Sequence, residues 1–404
     1  MKLQRWVIIV FIAIILGGCS MIKPSDNIDY IGGKHTPGKG KTLLLIGQDL
    51  ETIGNYCSDS ELMIPSGTVS YINFYAITRE EIYLFGGLGI NNDLEPQEGT
   101  ADWGAGPLNA YKNIQDYPDS VIAIGLSLVE DYSAGWTLQA ITEGNYDENI
   151  DKLAYYIELA DRPVYLRIGY EFDGIWNNYP QEDYKKAFRY IVERIKGNEK
   201  YPGADKYLVS VWQSCTSPSN EKSKGKHYSI DGWYPGDDVV DWVGFSYFIP
   251  HWEPEPGSNI MNQHQLTDEL LEFAREKKKP VMLAEASPQG FNLTDFTMKN
   301  VGWVDGAAAK LVKEYDQDES GAAELWKDWY KPYFDYTEDN KDVIRAVTYI
   351  NANWDSQPMW AFPYTGGYWG DARVEANPYI KDMWLAEMKK DHWLMEKVMK
   401  NLIQ

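Results

Sequence analysis

PVYLRIGYEFDGIWNNY, residues 163–179, begins as a strand and ends as a loop. Its first eight residues, PVYLRIGY, form a short run rich in apolar and β-favouring side chains, the composition of a strand covered on both faces. A helical pattern lies on either side, DENIDKLAYYIELA (147–160) before and YKKAFRYIVERIK (184–196) after, each with apolar residues three and four apart. Seven further runs read the same way: TLLLIGQ (42–48), VSYINFYAI (69–77), VIAIGLSL (121–128), YLVSVWQS (207–214), DWVGFSYF (241–248), PVMLAEAS (280–287) and IRAVTYINAN (344–353). Helical segments such as QLTDELLEFAREKKK (265–279) and AAELWKDWYKPYFDY (322–336) separate them. Eight alternations in one chain predict a single (β/α)8 TIM barrel, α/β in class, spanning residues 41–404. The stretch from Ala376 to Ile403 reads as its last helix. The rival is a doubly wound open sheet, which wants a Gly-x-Gly-x-x-Gly turn after the first strand; GQDLETIGNY (47–56) has none.

Ahead of the barrel, MKLQRWVIIVFIAIILGGCS (1–20) sets Lys2 and Arg5 before an apolar run from Trp6 to Leu16, which reads as a signal peptide over 1–18. Its Leu-Gly-Gly-Cys ending resembles a bacterial lipobox, which makes Cys19 the expected site of lipidation. An uncleaved membrane anchor is the alternative, for which the run is short. Residues 19–40 are rich in Gly, Pro and Lys and read as a flexible tether, so the expected location is the cell envelope, lipid-anchored at the outer membrane or cell surface, with the membrane as a partner.

Charge excludes one class of partner. Thirty-eight Lys+Arg face 60 Asp+Glu, a formal net charge of -22, so binding a nucleic acid by phosphate neutralisation is not expected. Beyond Cys19, only Cys57 and Cys215 remain, which supplies no disulfide framework and no metal spacing, and the five His form no HExxH. No cofactor or metal is expected. Sixteen Trp and 29 Tyr exceed ordinary packing needs, and many fall in Gly/Pro loops, as Trp176, Trp354 and Trp360 do. Flat rings with a polar handle suit the C–H faces of sugars, so these residues are candidate platforms for a neutral polysaccharide or oligosaccharide.

In a (β/α)8 barrel the chemistry lies at the C-terminal ends of the strands. The fourth strand there ends in Glu171 and the seventh in Glu285. Two carboxyls about 5 Å apart are what a retaining glycosidase needs: one keeps its proton and the other is ionised. Aromatic neighbours Tyr170, Phe172 and Trp176 would desolvate Glu171, making it the expected acid/base and Glu285 the expected nucleophile. Strand alternation would put Arg167, Gly169 and Glu171 on one face, with Gly169 leaving room between the two charges. Arg167 then either holds charge beneath the glutamate or is a structural ion-pair partner. Loop carboxylates such as Asp173 are candidate ligands for sugar hydroxyls.

The pattern Arg167-x-x-x-Glu171-x-Asp173-Gly174-x-Trp176, with a second glutamate closing the seventh strand, resembles glycoside hydrolase family 26. These are retaining (β/α)8 enzymes dominated by β-mannanases and including β-1,3-xylanases and mixed-linkage glucanases. The resemblance implies the same two roles for Glu171 and Glu285. It adds Trp212 at the fifth strand, Tyr247 at the sixth as the tyrosine that hydrogen-bonds the nucleophile, with wall packing its alternative reading, and Tyr349, Asn351 and Trp354 at the eighth. Where the family has histidine before the acid/base, this chain has Tyr170. The implied activity is endo hydrolysis of β-mannan first, then β-1,3-xylan or β-glucan. A non-catalytic surface glycan-binding lipoprotein on the same barrel is the alternative.

Overall fold

The structure is a computed structural model that describes residues 28–74, 86–129, 134–218, 230–254, 256–257, 260–294, 297–299, 311–314, 316, 318–360 and 368–395. The signal segment and Cys19 lie outside these residues.

Seven parallel strands follow one another: β1 (Thr42–Gly47), β2 (Gly67–Asn73), β3 (Val121–Ser127), β4 (Val164–Ile168), β5 (Leu208–Ser214), β6 (Trp242–Tyr247) and β7 (Val281–Ala286). A small antiparallel sheet comes next, β8 (Phe291–Asn292), β9 (Thr297–Lys299) and β10 (Leu311–Glu314). The eighth wall strand, β11 (Ile344–Ile350), pairs with both β7 and β1 and closes the cylinder. Successive side chains point to opposite faces, so each strand feeds two cores. In β1, Leu43 and Leu45 point into the barrel while Leu44 and Ile46 pack against the helices. Both faces are dry, which is why the runs read as continuously apolar.

Helices cover the outside of the cylinder. α1 (Leu50–Ser58) begins at Asp49, whose carboxylate accepts from the Glu51 and Thr52 amides. α2 (Gln181–Lys196) follows the loop that carries Glu171. The expected 147–160 helix runs Asp147–Ala160. The C-terminal helix is shorter than its sequence suggests. It ends at Met388, and after the polar Lys389-Lys390-Asp391 the chain turns so that β12 (Trp393–Leu394) lies parallel to β1.

The segment read as a tether differs over its described part, 28–40. It crosses the N-terminal end of the barrel. The Trp242 indole donates to the Lys34 carbonyl (2.8 Å) and the Tyr165 hydroxyl to that of His35 (2.7 Å). Arg345, 2% exposed, donates to the carbonyls of Ile31, Pro37 and Gly38 at 2.7–3.0 Å, with the Tyr30 ring 5.3 Å from its guanidinium carbon. Glycine and proline serve here to turn the chain so that its carbonyls face inward, a use that composition does not distinguish from flexibility. Arg345→Ala should therefore cost about 2–4 kcal/mol in urea unfolding, because several buried carbonyls lose their donor at once. A loss below about 0.5 kcal/mol would show that the plug is not held by this side chain.

Candidate active site

The site begins inside the barrel, at Arg167 on β4. Its guanidinium is fully buried, and Nη1 donates to Glu285 Oε1 at 2.5 Å and to Gln213 Oε1 at 3.0 Å. A charge out of water is tolerable only when paired in this way. Gly125 on the neighbouring β3 makes the space: a Cβ there would come within 2.6 Å of Tyr71 Cδ1 and 2.9 Å of Arg167 Nη2. Tyr71, from β2, uses that space to lie beneath the guanidinium, whose carbon is 4.8 Å from the ring centre. Burial pushes the Tyr71 hydroxyl well above the usual tyrosine range, and of the two nearby charges Arg167 opposes this and Glu285 adds to it.

Glu171 reaches the same place by a route that strand alternation does not describe. β4 stops at Ile168, and both Gly169 and Glu171 have left-handed backbones, φ 55° and 53°. A Cβ on Gly169 would meet Tyr184 and Leu128 in the outer layer, so this glycine makes room on the side away from Arg167 and not between the two charges. For Glu171 the left-handed conformation costs about 1–2 kcal/mol. The loop is fastened to offset it: the Gly174 amide donates to the Glu171 carbonyl (2.8 Å), and the Asn177 side chain donates to the carbonyls of Tyr170 and Glu171 (3.0 and 2.9 Å). Asp173 accepts from the Ser214 hydroxyl (2.7 Å) and the Cys215 amide (2.8 Å), which ties the loop to the end of β5. Its carboxylate is thus engaged in structure and is not presented to a sugar.

Both oxygens of Glu171 accept a hydrogen bond. Ser246 Oγ donates to Oε1 at 2.7 Å and Trp176 Nε1 to Oε2 at 2.8 Å. Gly174 accounts for the second contact, since a Cβ there would sit 2.6 Å from Trp176 Cε2 and push the indole away. The outer face of that indole stays open, with the residue 50% exposed. Ser246 stands opposite Glu285 in the β6–β7 register and accepts from Gln213 Nε2 at 3.2 Å. Glu285, Arg167, Gln213, Ser246 and Glu171 therefore form one connected network at the barrel mouth. Burial first, and then the charge of Glu285, push the Glu171 carboxyl up to about 8, against the hydrogen bonds from Ser246 and Trp176.

The other sequence candidates divide. Tyr170 is at the mouth, its ring 5.3 Å from Tyr71 and 5.5 Å from the Arg167 guanidinium carbon. Trp212 and Tyr247 are not in the site. In β5 it is Val209, Val211 and Gln213 that point inward, so Trp212 points out and stacks on Phe172 at 4.5 Å. In β6, Ser246 points inward, and Tyr247 packs among Tyr333, Tyr336 and Trp329 with its hydroxyl 3.3 Å from His264 Nε2. Asn351 is fully buried and structural: its amide bonds Glu375 Oε2 and the Val374 main chain. Trp354, 2% exposed, donates to Ser287 Oγ at 3.1 Å and packs against Trp360 and Trp369, the two part-buried members of that cluster. Tyr349 bonds Tyr330 in the outer layer. Missed by the sequence reading were Tyr71, Gln213 and Ser246. The last two had a signal: each is a polar residue inside a largely apolar run, adjacent to the aromatic.

A (β/α)8 cylinder with one carboxyl just after β4 and another at the end of β7 is an arrangement that glycoside hydrolysis can use. No family model matches the chain. It is 34% identical over 372 residues, 91% of its length, to a β-1,3-xylanase of Alcaligenes sp. and, over the same extent, to the β-1,3-xylanase TXYA of Vibrio sp.. It spans 66% and 68% of the length of those two relatives. The structure of GH26C from Muricauda sp. MAR_2010_75 shares the fold, with a TM-score of 0.51 and 14% identity, 90% of each chain being covered. The chain belongs to the same glycoside hydrolase family as these two β-1,3-xylanases.

A folded Glu171 that holds its proton to about pH 8, against an ordinary value of 4.5, binds a proton on folding between those limits. Stability should accordingly fall as pH rises through that window, and Glu171→Gln should remove the fall in denaturant unfolding at pH 5, 7 and 9. In carboxyl carbon NMR, Glu285→Gln should lower the Glu171 midpoint, since the anion beside it is gone; a midpoint that stays put would separate the two groups.

Proposed function

We propose that this protein is a retaining endo-β-1,3-xylanase, with Glu171 as acid/base and Glu285 as nucleophile. The observation that carries the reading is the single network joining the two carboxyls, in which one is paired with a buried cation and the other is pushed toward its protonated form. Glu285, ionised against Arg167, attacks the anomeric carbon and forms a C–O ester bond. The glycosidic C–O bond breaks, its electron pair leaves with the oxygen of the departing sugar, and that oxygen takes the Glu171 proton. Water then attacks the same carbon, gives a proton to Glu171, and the ester electron pair returns to Glu285. In the first half the general acid must still hold its proton near neutral pH, which burial and the Glu285 charge favour.

The sequence put β-mannan first. Two β-1,3-xylanase relatives at 34% identity over nearly the whole chain move β-1,3-xylan ahead of it. Tyr170, where the family has histidine, counts against β-mannan. The half-exposed face of Trp176, beside Glu171, suits a pyranose ring. The lipobox-like start supports a lipid-anchored, envelope-exposed enzyme that meets its polymer outside the cell.

Reducing-sugar release from β-1,3-xylan, β-1,4-xylan, β-mannan and mixed-linkage β-glucan tests the reading. β-1,3-Xylan should be the preferred substrate, and Glu285→Gln should lower kcat/KM at least about a thousandfold with the fold intact. Preference for β-mannan would refute the substrate assignment. Binding of β-1,3-xylan without release by the wild type would refute the catalytic one.

A further inference from the structure

The hydrogen bonds beneath the two carboxyls all run one way. An arginine donates and never accepts, so Arg167 Nη1 fixes Gln213 with its Oε1 turned inward (3.0 Å). The Gln213 amide nitrogen is then committed to Ser246 Oγ (3.2 Å), and the serine, which accepts there, has its proton for Glu171 Oε1 (2.7 Å). The same guanidinium nitrogen donates to Glu285 Oε1. Ser246 is held by its main chain as well, its carbonyl accepting from Thr216 Oγ1 (2.6 Å) and Gln263 Nε2 (3.2 Å), and its side chain is fully buried. None of this is needed to close the barrel: the inward positions one layer below Gln213 and Ser246 are Val211 and Gly244, which carry no polar side chain.

We propose that Gln213 and Ser246 are positioning residues which form a one-directional relay from Arg167 to Glu171, so that the state of one carboxyl is felt by the other. This inference rests on the roles given to Glu171 and Glu285 above. While Glu285 is an anion, it takes most of the Arg167 charge, and the relay is a weak donor to Glu171. Once Glu285 is an ester, Arg167 has no anion on that side, and its polarisation is passed through Gln213 and Ser246 to Glu171. The serine becomes a stronger donor at the moment when Glu171 must be an ionised base for the attacking water. The groups coupled to the charge of Glu171 are Glu285 from β7, Asp173 and Tyr179 in its own loop, and Cys215 beyond β5, while Arg167 from β4 meets Glu285 directly and Glu171 only through the relay. Of these, Arg167 is the one permanent cation, and the relay is its hydrogen-bonded path to Glu171.

The test uses Ser246→Ala, Ser246→Thr and Gln213→Met, with the pH profile of kcat/KM read on a β-1,3-linked xylo-oligosaccharide, whose leaving sugar needs the Glu171 proton, and with kcat, KM and the burst read on an aryl glycoside of it. In Ser246→Ala, Glu171 loses a donor to its charged form, so the alkaline limb of kcat/KM should move up by about one pH unit. Because the base is then harder to ionise in the second step, kcat and KM should fall together at neutral pH, with a pre-steady-state burst. Ser246→Thr keeps the hydroxyl and should restore the limb, and Gln213→Met should move it in the same direction by less. An alkaline limb that stays at the wild-type pH in Ser246→Ala while kcat drops would overturn the relay and leave Ser246 a packing residue. Should Ser246→Ala fail to fold, an unmoved limb in Gln213→Met overturns it equally. Failure of the underlying roles is read separately: it appears as retained activity in Glu285→Gln.

Discussion

A guanidinium sealed inside the barrel, with a carboxylate against it, is the constraint on which the rest of the site depends. Removing Arg167 and Glu285 from water is costly, and only their mutual attraction and added hydrogen bonds make it tolerable. The walls are arranged accordingly. Gly125 gives up its side chain so that Arg167 and Tyr71 can stack, and Gln213 supplies a second acceptor. Glu285 is thereby held in one place against the guanidinium. Glu171 has the opposite setting, a carboxyl with neutral donors on each oxygen and an anion nearby. Of two chemically identical side chains, one lies against a cation and the other is pushed by its surroundings toward its protonated form.

The loop after β4 shows what it takes to hold such a residue still. Glu171 sits in a backbone conformation that residues with side chains avoid, and its position is over-determined by Gly174, Asn177 and, through Asp173, the end of β5. Strain kept in place by several independent bonds is expected where a side chain must not relax. Trp176 serves twice, as a donor to the carboxyl through its nitrogen and as an open ring toward solvent.

Much of the architecture was legible in the sequence because apolar runs and helical periodicity are local properties. The eight wall strands fall within a few residues of the runs that announce them, and Glu171, Glu285, Arg167, Tyr170 and Trp176 meet at one mouth. Legibility failed where the outcome depends on parity. Whether Trp212 or Gln213, Tyr247 or Ser246, points inward is decided by a one-residue phase that aromatic content does not reveal. A polar residue in a dry strand was the better guide. Gly169 misled for a related reason, since the strand ends before it and alternation no longer applies. The plug at 28–40 carried the composition of a linker, yet its carbonyls are spent on Arg345, Trp242 and Tyr165, partners hundreds of residues away or on distant strands.

Everything turns on the proposal that Glu171 and Glu285, joined in a single network, act on one anomeric carbon. Proton NMR of the first product formed from an oligosaccharide of β-1,3-linked xylose reads this directly. The β-anomer should appear first and mutarotate to the mixture, as double displacement requires. The α-anomer appearing first would mean that water attacks the sugar in a single step, and would contradict the account.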